Sequence, residues 1–357
     1  MKLNLKTDAM RCFYCFLLLC FFLTGCRNIG DGSHGDDFVF RSIYHRKMVF
    51  QPSKEEKVLM ERHRINRLYL RFFDVSVNPE TGEAVPIATT VFRSKTDEAY
   101  EVVPVVFITL EGLKQMMASD LGIYAGKIVT RVCQMVRVNG VRNVREVQVD
   151  CDWTVSTEKG YFELLKAMRR LLKREEWRIS ATIRFWQLRR EVPPVDRGVL
   201  MCYNTGEVLN SATNNSIVDL KDVQPYLKDL PSYALPLDVA YPTFGWTVWF
   251  RDGQFKALLR GMDWSDTTLY RQEKRNTYQV LKDHFIVGKC LQAGDILRCE
   301  VSDYAAVRAV KQAVEERLRE RSESFTRERS AEVVLYHWDE SNLKKYADYE
   351  IDSLYMR

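Results

Sequence analysis

The sequence predicts an α/β protein that folds as a (β/α)8 TIM-like barrel with accessory β-hairpins. Apolar, strand-like runs alternate with helical segments along the 357 residues, which is the pattern of a buried parallel sheet. Polar residues stand at the carboxyl ends of several runs, where barrels carry their working groups. The alternative is a doubly wound open sheet. That fold usually has a glycine-rich phosphate loop, and the sequence contains neither GxGxxG nor GxxxxGK[ST].

The first residues have the features of a secretory leader. Basic residues precede an apolar run at 12–23, which is too short to span a bilayer comfortably. The run ends in LTGC at 23–26, which resembles the lipobox of bacterial lipoproteins. The resemblance implies that residues 1–25 are a signal peptide and that Cys26 is lipidated. The protein is then anchored in the bacterial cell envelope, on the outer membrane or facing the periplasm. A short membrane anchor or a buried helix is the alternative.

Composition predicts the domain organisation after Cys26. Glycine, serine and aspartate dominate the next residues, so we expect a flexible tether over 26–53. Residues 54–357 are expected to form a single barrel domain. Among the cysteines beyond Cys26, the sequence leaves open whether Cys290 and Cys299 pair across a hairpin.

From residue 54 onward the predicted elements alternate between strands and helices. The helix at 158–176 is the clearest, because Phe162, Leu165, Met168 and Leu172 form one apolar stripe. The other predicted helices cover 54–64, 111–136 and 303–325. The predicted strands lie at 67–77, 84–92, 101–110, 146–154, 177–188, 197–208, 233–250 (two strands), 284–301 (two strands) and 331–343. About seven of these suit a barrel, and the rest suit accessory hairpins.

The octet VQVDCDWT at 147–154 is the strongest candidate for a site. Asp150 and Asp152 are separated by one residue, so on a strand their side chains share a face. Two carboxylates this close resist joint ionisation, which raises the pKa of one of them. Glycoside hydrolysis uses such a protonated carboxyl as its acid. We therefore interpret Asp150 and Asp152 as candidate catalytic residues.

Polar and aromatic residues at other predicted strand ends suit a carbohydrate ligand, because sugar faces stack on rings and hydroxyls bind carboxylates and amides. The candidate substrate-binding residues are Asp74, Trp153, Gln187, Asn204, Asp238, Tyr241, Trp338 and Asp339. Structural roles compete with several of the candidate site assignments. The two acids of the octet would equally bind arginines or backbone amides, tryptophans are more often core, and Asp238 would cap a turn between two prolines.

The octet resembles the strand-four signature of family 18 glycoside hydrolases, the chitinase-like barrels, whose pattern is DGxDxDWE. Asp150, Asp152 and Trp153 match it, whereas Thr154 stands in the place of the catalytic glutamate. In that family the acetamido group of the substrate is the nucleophile and the glutamate donates the proton. The resemblance implies a barrel with a sugar-like ligand, and Thr154 implies that hydrolysis is lost. Residues 65–343 also resemble a family of bacterial surface lipoproteins with no established activity.

Three functions therefore remain open from the sequence. The first is carbohydrate binding without hydrolysis. The second is an active glycoside hydrolase that uses the Asp150 and Asp152 pair with a third carboxyl from Asp74, Asp238, Asp339 or Glu340. The third is a surface-assembly or adhesion protein without a sugar site. No cofactor, metal-ligand spacing or nucleic-acid motif is evident, and the net charge of +5 comes from no long basic block.

Overall fold

The computed structural model describes residues 40–286, 288–321 and 331–356. Eight parallel strands form a closed barrel, as predicted. In chain order they are β1 (Arg41–His45), β3 (Arg67–Val77), β6 (Glu101–Ile108), β7 (Glu146–Cys151), β8 (Arg178–Ile183), β9 (Arg197–Met201), β10 (Leu237–Pro242) and β18 (Val333–Tyr336). The barrel closes because β1 pairs in parallel with both β18 and β3.

Strand β1 corrects one predicted boundary. We expected the tether to reach residue 53, but Ser42 pairs with Val334 on one side and Arg67 on the other. The barrel domain therefore begins near Phe40 rather than at residue 54. The predicted signal peptide, Cys26 and the tether up to residue 39 lie outside the described residues.

Eight α-helices are described. They are α1 (Lys54–Arg62), α2 (Leu110–Met117), α3 (Leu121–Val138), α4 (Glu158–Leu172), α5 (Leu220–Leu227), α6 (Tyr304–Arg319), α7 (Glu340–Leu343) and α8 (Asp348–Tyr355). The helix predicted at 111–136 is divided, because Asp120 accepts hydrogen bonds from the Gly122 and Ile123 amides and starts α3. None of the helices described is long and apolar enough to cross a membrane.

The connection between β8 and β9 differs from the others. Residues 184–196 contain only a 3-10 turn at Phe185–Arg189, which we had predicted as the end of a strand. Pro193 and Pro194 follow, and proline cannot continue a regular helix. The barrel therefore has no α-helix between its fifth and sixth strands.

The accessory elements are more extensive than the hairpins we predicted. Small strands lie beside β1 and β3: β2 (Val49–Phe50), β4 (Ala84–Ile87) and β5 (Val91–Phe92). A five-stranded antiparallel sheet lies between β10 and β18, formed by β11 (Gly245–Arg251), β12 (Gln254–Leu259), β13 (Tyr270–Lys274), β14 (Thr277–Val280) and β17 (Ile296–Val301). Strands β15 (His284–Ile286) and β16 (Lys289–Leu291) form a separate hairpin. Cys290 and Cys299 are free thiols.

Buried charges close the amino end of the barrel interior. We call this set the floor network; its members are Arg67, Glu101, Glu146, Arg197, Asp238 and Glu332. Arg67 Nη2 lies 2.8 Å from Glu101 Oε1 and 3.0 Å from Glu146 Oε2. Its Nη1 lies 3.1 Å from Glu332 Oε2, and the whole side chain is buried. Buried charges are tolerated only when paired, so Arg67 links the amino ends of β6, β7 and β18 to its own strand, β3.

Four tyrosines fill the interior above the floor network. Tyr44 stacks on Tyr69 with ring centroids 5.1 Å apart, and Tyr203 stacks on Tyr336 at 4.2 Å. Tyr44 and Tyr336 join the two pairs at 5.3 Å. These rings separate the floor of the barrel from its mouth, so a ligand at one end does not contact groups at the other.

Candidate functional site

A pocket of about 620 Å³ lies at the carboxyl ends of β7, β8 and β9, and we call it the mouth pocket. Its walls combine aromatic rings with hydrogen-bonding side chains. They are Asp152, Trp153, Thr154, Val155, Arg184, Phe185, Trp186, Gln187, Met201, Tyr203, Asn204, Thr205, Asp222 and Tyr226. Its volume is within the range of small-molecule sites, and rings with a few polar groups are typical of such sites.

The two acids of the octet occupy different environments. Asp150, the fifth residue of β7, is buried in the barrel and accepts a hydrogen bond from Thr182 Oγ1 at 2.7 Å. Burial raises the pKa of Asp150, and the charge of Asp152 adds to the rise, while Arg184 and Arg46 oppose it. Asp152 follows the end of the strand, and 55% of its side chain is exposed. Arg184 Nε donates to Asp152 Oδ1 at 2.8 Å.

The sequence offered arginine binding as an alternative to catalysis for the two acids of the octet, and Asp152 binds Arg184 in this way. Neither oxygen of Asp150 belongs to the wall of the mouth pocket, whereas Asp152 lies on it. Only one of the two predicted catalytic acids is therefore placed where a ligand in the mouth pocket would meet it, and that acid is already paired.

Thr154 lies on the wall of the mouth pocket, in a turn whose side chains carry hydroxyl groups. Its amide donates to Thr157 Oγ1 at 2.9 Å, and its own hydroxyl lies 2.9 Å from Ser156 Oγ. A hydroxyl has a pKa far too high for a general acid in this position. Thr154 therefore offers a hydroxyl rather than a carboxyl to the mouth pocket.

Trp153 lies in the core beneath the mouth pocket and is 1% exposed. It packs on Tyr161, Phe162 and Trp186, with the Trp186 centroid 5.1 Å away in an edge-to-face contact. Trp186 is half-buried and lines the pocket, although we did not choose it as a binding residue. Trp153 is therefore a core residue, which was the alternative to sugar binding in the sequence. Trp186 is the tryptophan whose ring is accessible from the pocket.

Gln187 and Asn204 both line the mouth pocket, at the ends of β8 and β9. Gln187 is buried, and its Oε1 accepts a hydrogen bond from the Arg184 amide at 2.8 Å. Asn204 is exposed and has a φ of 52°, a left-handed conformation that asparagine tolerates better than most residues. Together with Asp152 and Trp153, they are the four predicted site residues that the structure brings together.

Asp74 and Asp339 lie outside the wall of the mouth pocket. Arg71 Nε donates to Asp74 Oδ1 at 2.7 Å, which occupies that carboxylate on its own strand. Asp339 caps α7 by accepting from the Ser341 amide at 2.9 Å, and it pairs with Lys47 at 3.1 Å. Burial opposes ionisation of Asp339, but the Ser341 hydroxyl and Lys47 outweigh it and hold its pKa at about 2.

Asp238, Tyr241 and Trp338 also lie outside the mouth pocket. Our placement of Asp238 at a carboxyl strand end was wrong, because it is the second residue of β10 and belongs to the floor network. Its Oδ2 lies 3.0 Å from Arg197 Nη1. Burial raises the pKa of Asp238, with Arg197 and Arg67 opposing the rise. Tyr241 and Trp338 are fully buried core residues.

Asp222, on α5, is a wall residue that the sequence interpretation missed. Its Oδ2 is buried without a hydrogen bond from the described residues, and Gly206 leaves the space it occupies, since a Cβ there would lie 2.8 Å from that oxygen. Burial raises the pKa of Asp222, and Asp219 and Glu207 add to the rise. Asp222 sits on a helix rather than at a strand end, so only the fold brings it to the pocket.

None of the four carboxyls proposed from the sequence as the third acid lines the mouth pocket. Asp74, Asp238 and Asp339 are engaged as described above, and Glu340 pairs with Lys344 on α7. Within the described parts of the chain, no group of three or more His, Cys, Asp or Glu side chains is arranged to hold a metal ion. The mouth pocket therefore contains two carboxyl groups, Asp152 and Asp222.

Comparison with models of protein families gives no match for this chain, and comparison with curated proteins gives none either. Solved structures do share its fold. The chain is similar to the spore cortex-lytic enzyme SleL of Bacillus cereus, with a TM-score of 0.51 and 10% identity over 88% of this chain and 73% of that one. SleL of Bacillus megaterium gives 0.51 and 9% over 89% and 75%.

A third similar structure is the C-terminal domain of a predicted chitinase from Desulfitobacterium hafniense. Its TM-score is 0.52 at 12% identity, over 88% of this chain and 99% of that domain. Identities this low establish the fold, a closed eight-stranded barrel of the kind found in chitinase-like enzymes. They do not establish an activity, because one barrel fold supports many functions.

Proposed function

We propose that this chain is a lipid-anchored protein of the bacterial cell envelope whose barrel binds carbohydrate in the mouth pocket without hydrolysing it. The observation that carries the proposal is the composition of the pocket wall. Rings of Trp186, Tyr203 and Tyr226 lie beside the side chains of Asp152 and Asn204, a combination suited to sugar faces and hydroxyls. Thr154 stands where the resembling family has its acid, which favours binding over cleavage.

The ligand class follows from the resemblance. In family 18 hydrolases the acetamido group of the sugar takes part in the reaction, and the similar solved structures are a chitinase domain and cortex-lytic enzymes. N-acetylated glycans are therefore the first candidates. We would titrate the full chain in detergent with N-acetylglucosamine oligomers and with peptidoglycan fragments, using calorimetry for binding and chromatography for cleavage. We expect binding without new reducing ends.

Trp186→Ala is the matched test of the pocket. Removing the accessible ring is expected to weaken binding by about tenfold, equivalent to about 1.4 kcal/mol. The control is Trp264→Ala, which removes a half-buried ring stacked on Tyr278 in the accessory sheet, outside the mouth pocket. Equal affinities for the two variants, or no glycan binding by the wild type, would contradict the proposed site.

A hydrolase is the second candidate function, and Asp222 is the observation that favours it. Its raised pKa and its place on the pocket wall suit a proton donor in a pocket that Asp152, after the end of β7, also lines. If the wild type releases new reducing ends, Asp222→Asn is expected to abolish the release. Asp219→Asn is the control, because that carboxylate already pairs with Lys221. Cleavage by the wild type would replace our first proposal with this one.

The anchor is tested separately from the pocket. Growth of an expressing bacterium with an alkyne-tagged fatty acid is expected to label the wild-type chain and not the Cys26→Ser variant. Processing after Gly25 is expected only in the wild type, because cleavage depends on the lipidated cysteine. Equal labelling of both chains would show that Cys26 is not the lipid site.

A further inference from the structure

The amino end of the barrel has a concentration of positive charge below β7 and β8. Two loops form it, residues 137–145 and 173–178, and we call them together the basic surface. They contain six cations and two acids, a net charge of +4. The cations are Arg137, Arg142, Arg145, Lys173, Arg174 and Arg178, and the acids are Glu175 and Glu176. All eight side chains are exposed.

The two loops form one continuous surface. The Arg178 amide donates to the Arg145 carbonyl at 2.9 Å, so the loops are directly joined. Arg142 pairs with Glu98, and it is the only one of the six cations with an ion-pair partner among the described residues. Val138, which is 84% exposed, projects from the same end. An exposed apolar side chain among unpaired cations is a combination found on proteins that lie on membranes.

Local structure explains part of this charge. Helices α3 and α4 end at Val138 and Leu172, and cations at helix carboxyl ends are favoured by the helix dipole. That effect accounts for Arg137, Lys173 and Arg174, which lie in or next to the last turns. Arg145 and Arg178 lie beyond the helices at the starts of β7 and β8, so the dipole does not account for them.

A pocket of about 730 Å³ opens beside the basic surface. It lies next to the helix-free connection that descends to β9, and its apolar rim includes Val192, Val195 and Leu235. Arg178 and Arg197 line it, and Arg197 is only 8% exposed. The carboxylates Glu146 and Asp196 also line the pocket, and each is already bound, Glu146 by Arg67 and Ser180 and Asp196 by Arg169 and the Ile179 amide.

We propose that the basic surface, with this pocket, docks on the anionic phospholipid surface of the membrane that carries the lipid anchor. The inference rests on the anchor part of the proposed function. Strand β1 begins at Arg41, at the same end of the barrel, and Cys26 precedes it by fifteen residues. A chain of that length spans at most roughly 50 Å, so this end of the barrel is within that reach of the proposed anchor. The mouth pocket, at the opposite end, then faces away from the bilayer.

Charge supplies the attraction, since Lys and Arg side chains near an anionic leaflet are drawn to it, and salt screens this attraction. The phosphate of a headgroup is the ligand that guanidinium groups bind best, in a bidentate geometry. The pocket beside Arg178 offers such a group together with an apolar rim for the glycerol portion of the lipid.

Hydrogen–deuterium exchange on the full chain in vesicles tests the docking. We would compare phosphatidylcholine vesicles with vesicles that also contain phosphatidylglycerol, at low and high salt. Amides of 137–145 and 173–178 are expected to exchange about tenfold more slowly on the anionic vesicles at low salt, and equally at high salt. Amides of the loop at 204–216, beside the mouth pocket, are expected to be unaffected.

Charge reversal separates docking from anchoring. The double variant Arg145→Glu with Arg178→Glu is expected to lose the protection, while the control Lys274→Glu with Arg275→Glu, at exposed positions of the accessory sheet, retains it. Equal exchange on both vesicle types, or protection unchanged in the first variant, would overturn the docking. If the wild-type chain is released from the phosphatidylcholine vesicles, it lacks the lipid anchor. If that chain still stays on the anionic vesicles, the docking is supported. If both kinds of vesicle release it, the docking is overturned.

Discussion

The two ends of the barrel interior are built from the same kinds of side chain and differ in how those side chains are paired. At the floor, Arg67 and Arg197 are enclosed with four acids, and every member is buried. At the mouth, Asp152 and Arg184 form an ion pair, and about half of the Asp152 side chain is exposed to solvent. The comparison teaches that an acid next to a strand end indicates a site only when it follows the strand. The acids at the starts of β6, β7 and β10 are instead paired within the buried floor network.

Arg67→Met is expected to have the largest effect, since it removes the cation that three buried carboxylates share. Leaving a buried charge unpaired typically costs about 3–5 kcal/mol, so we expect a loss of that size in the free energy of unfolding, measured in urea. Arg142→Met is the control, because its pair with Glu98 is about two-thirds exposed on both sides and is expected to contribute less than about 1 kcal/mol. Similar losses in both variants would remove the distinction between floor and surface.

Asp150→Asn tests the buried acid nearest the mouth. The pKa of Asp150 in the native protein lies above the value near 3.8 that it has in the unfolded chain. The native state therefore retains a proton that the unfolded chain releases, and stability is lost as pH rises from about 3.8 through the native pKa. We expect the variant to gain stability relative to the wild type over that interval, measured as unfolding temperature against pH. If the unfolding temperatures of wild type and variant change with pH in the same way, Asp150 is not a buried carboxyl with a raised pKa.

Asp339→Asn is expected to act in the opposite direction and more weakly. The native pKa of about 2 lies below the unfolded value of 3.8, so Asp339 contributes stability above 3.8 that is lost as pH falls towards 2. Solvent screens this partly exposed carboxylate, and we expect a loss of at most about 1 kcal/mol near neutral pH. In urea unfolding, the difference between wild type and variant should shrink as pH falls through 2 and disappear below it. A difference that persists there would contradict the assignment.

Asp152→Asn is expected to have the smallest effect on stability, below about 1 kcal/mol, because the Arg184 pair is open to solvent. Binding should respond instead, with glycan affinity reduced while the midpoint of unfolding in urea shifts only slightly. A large loss of stability would place Asp152 in the same structural class as the floor network.

Local sequence determined much of the fold. The β-branched run at 147–149 and the apolar stripe of Phe162 and Leu165 specify β7 and α4 with little help from distant residues. Strand β1 was missed because RSIYH is only five residues long and follows a glycine-rich stretch, so its partners β3 and β18 define it. The accessory sheet was underestimated for the same reason, since its strands pair across loops.

The candidate site was predicted less completely. Asp152, Gln187 and Asn204 follow their strands and meet at the mouth pocket, as the chain direction requires. The prediction for Asp238 was wrong because LPLDVAYP gives no local sign of where the strand begins. Assigning the residue to the wrong end of its strand moves it from one end of the barrel to the other. Asp222 carries no motif at all. The gap left by Gly206 brings its oxygen close to the loop after β9, and only tertiary contacts show it.

The closure of the barrel also sets an order of assembly. Strand β1 begins at Arg41, yet one of its two partners, β18, begins at Val333, 292 residues later in the chain. An edge with unpaired amides and carbonyls invites wrong partners, and contacts this distant in sequence form slowly. The barrel must therefore keep an open seam until β18 pairs with β1. Truncation before residue 333 would leave that seam permanently open. Every site on the barrel therefore depends on the short strand β18.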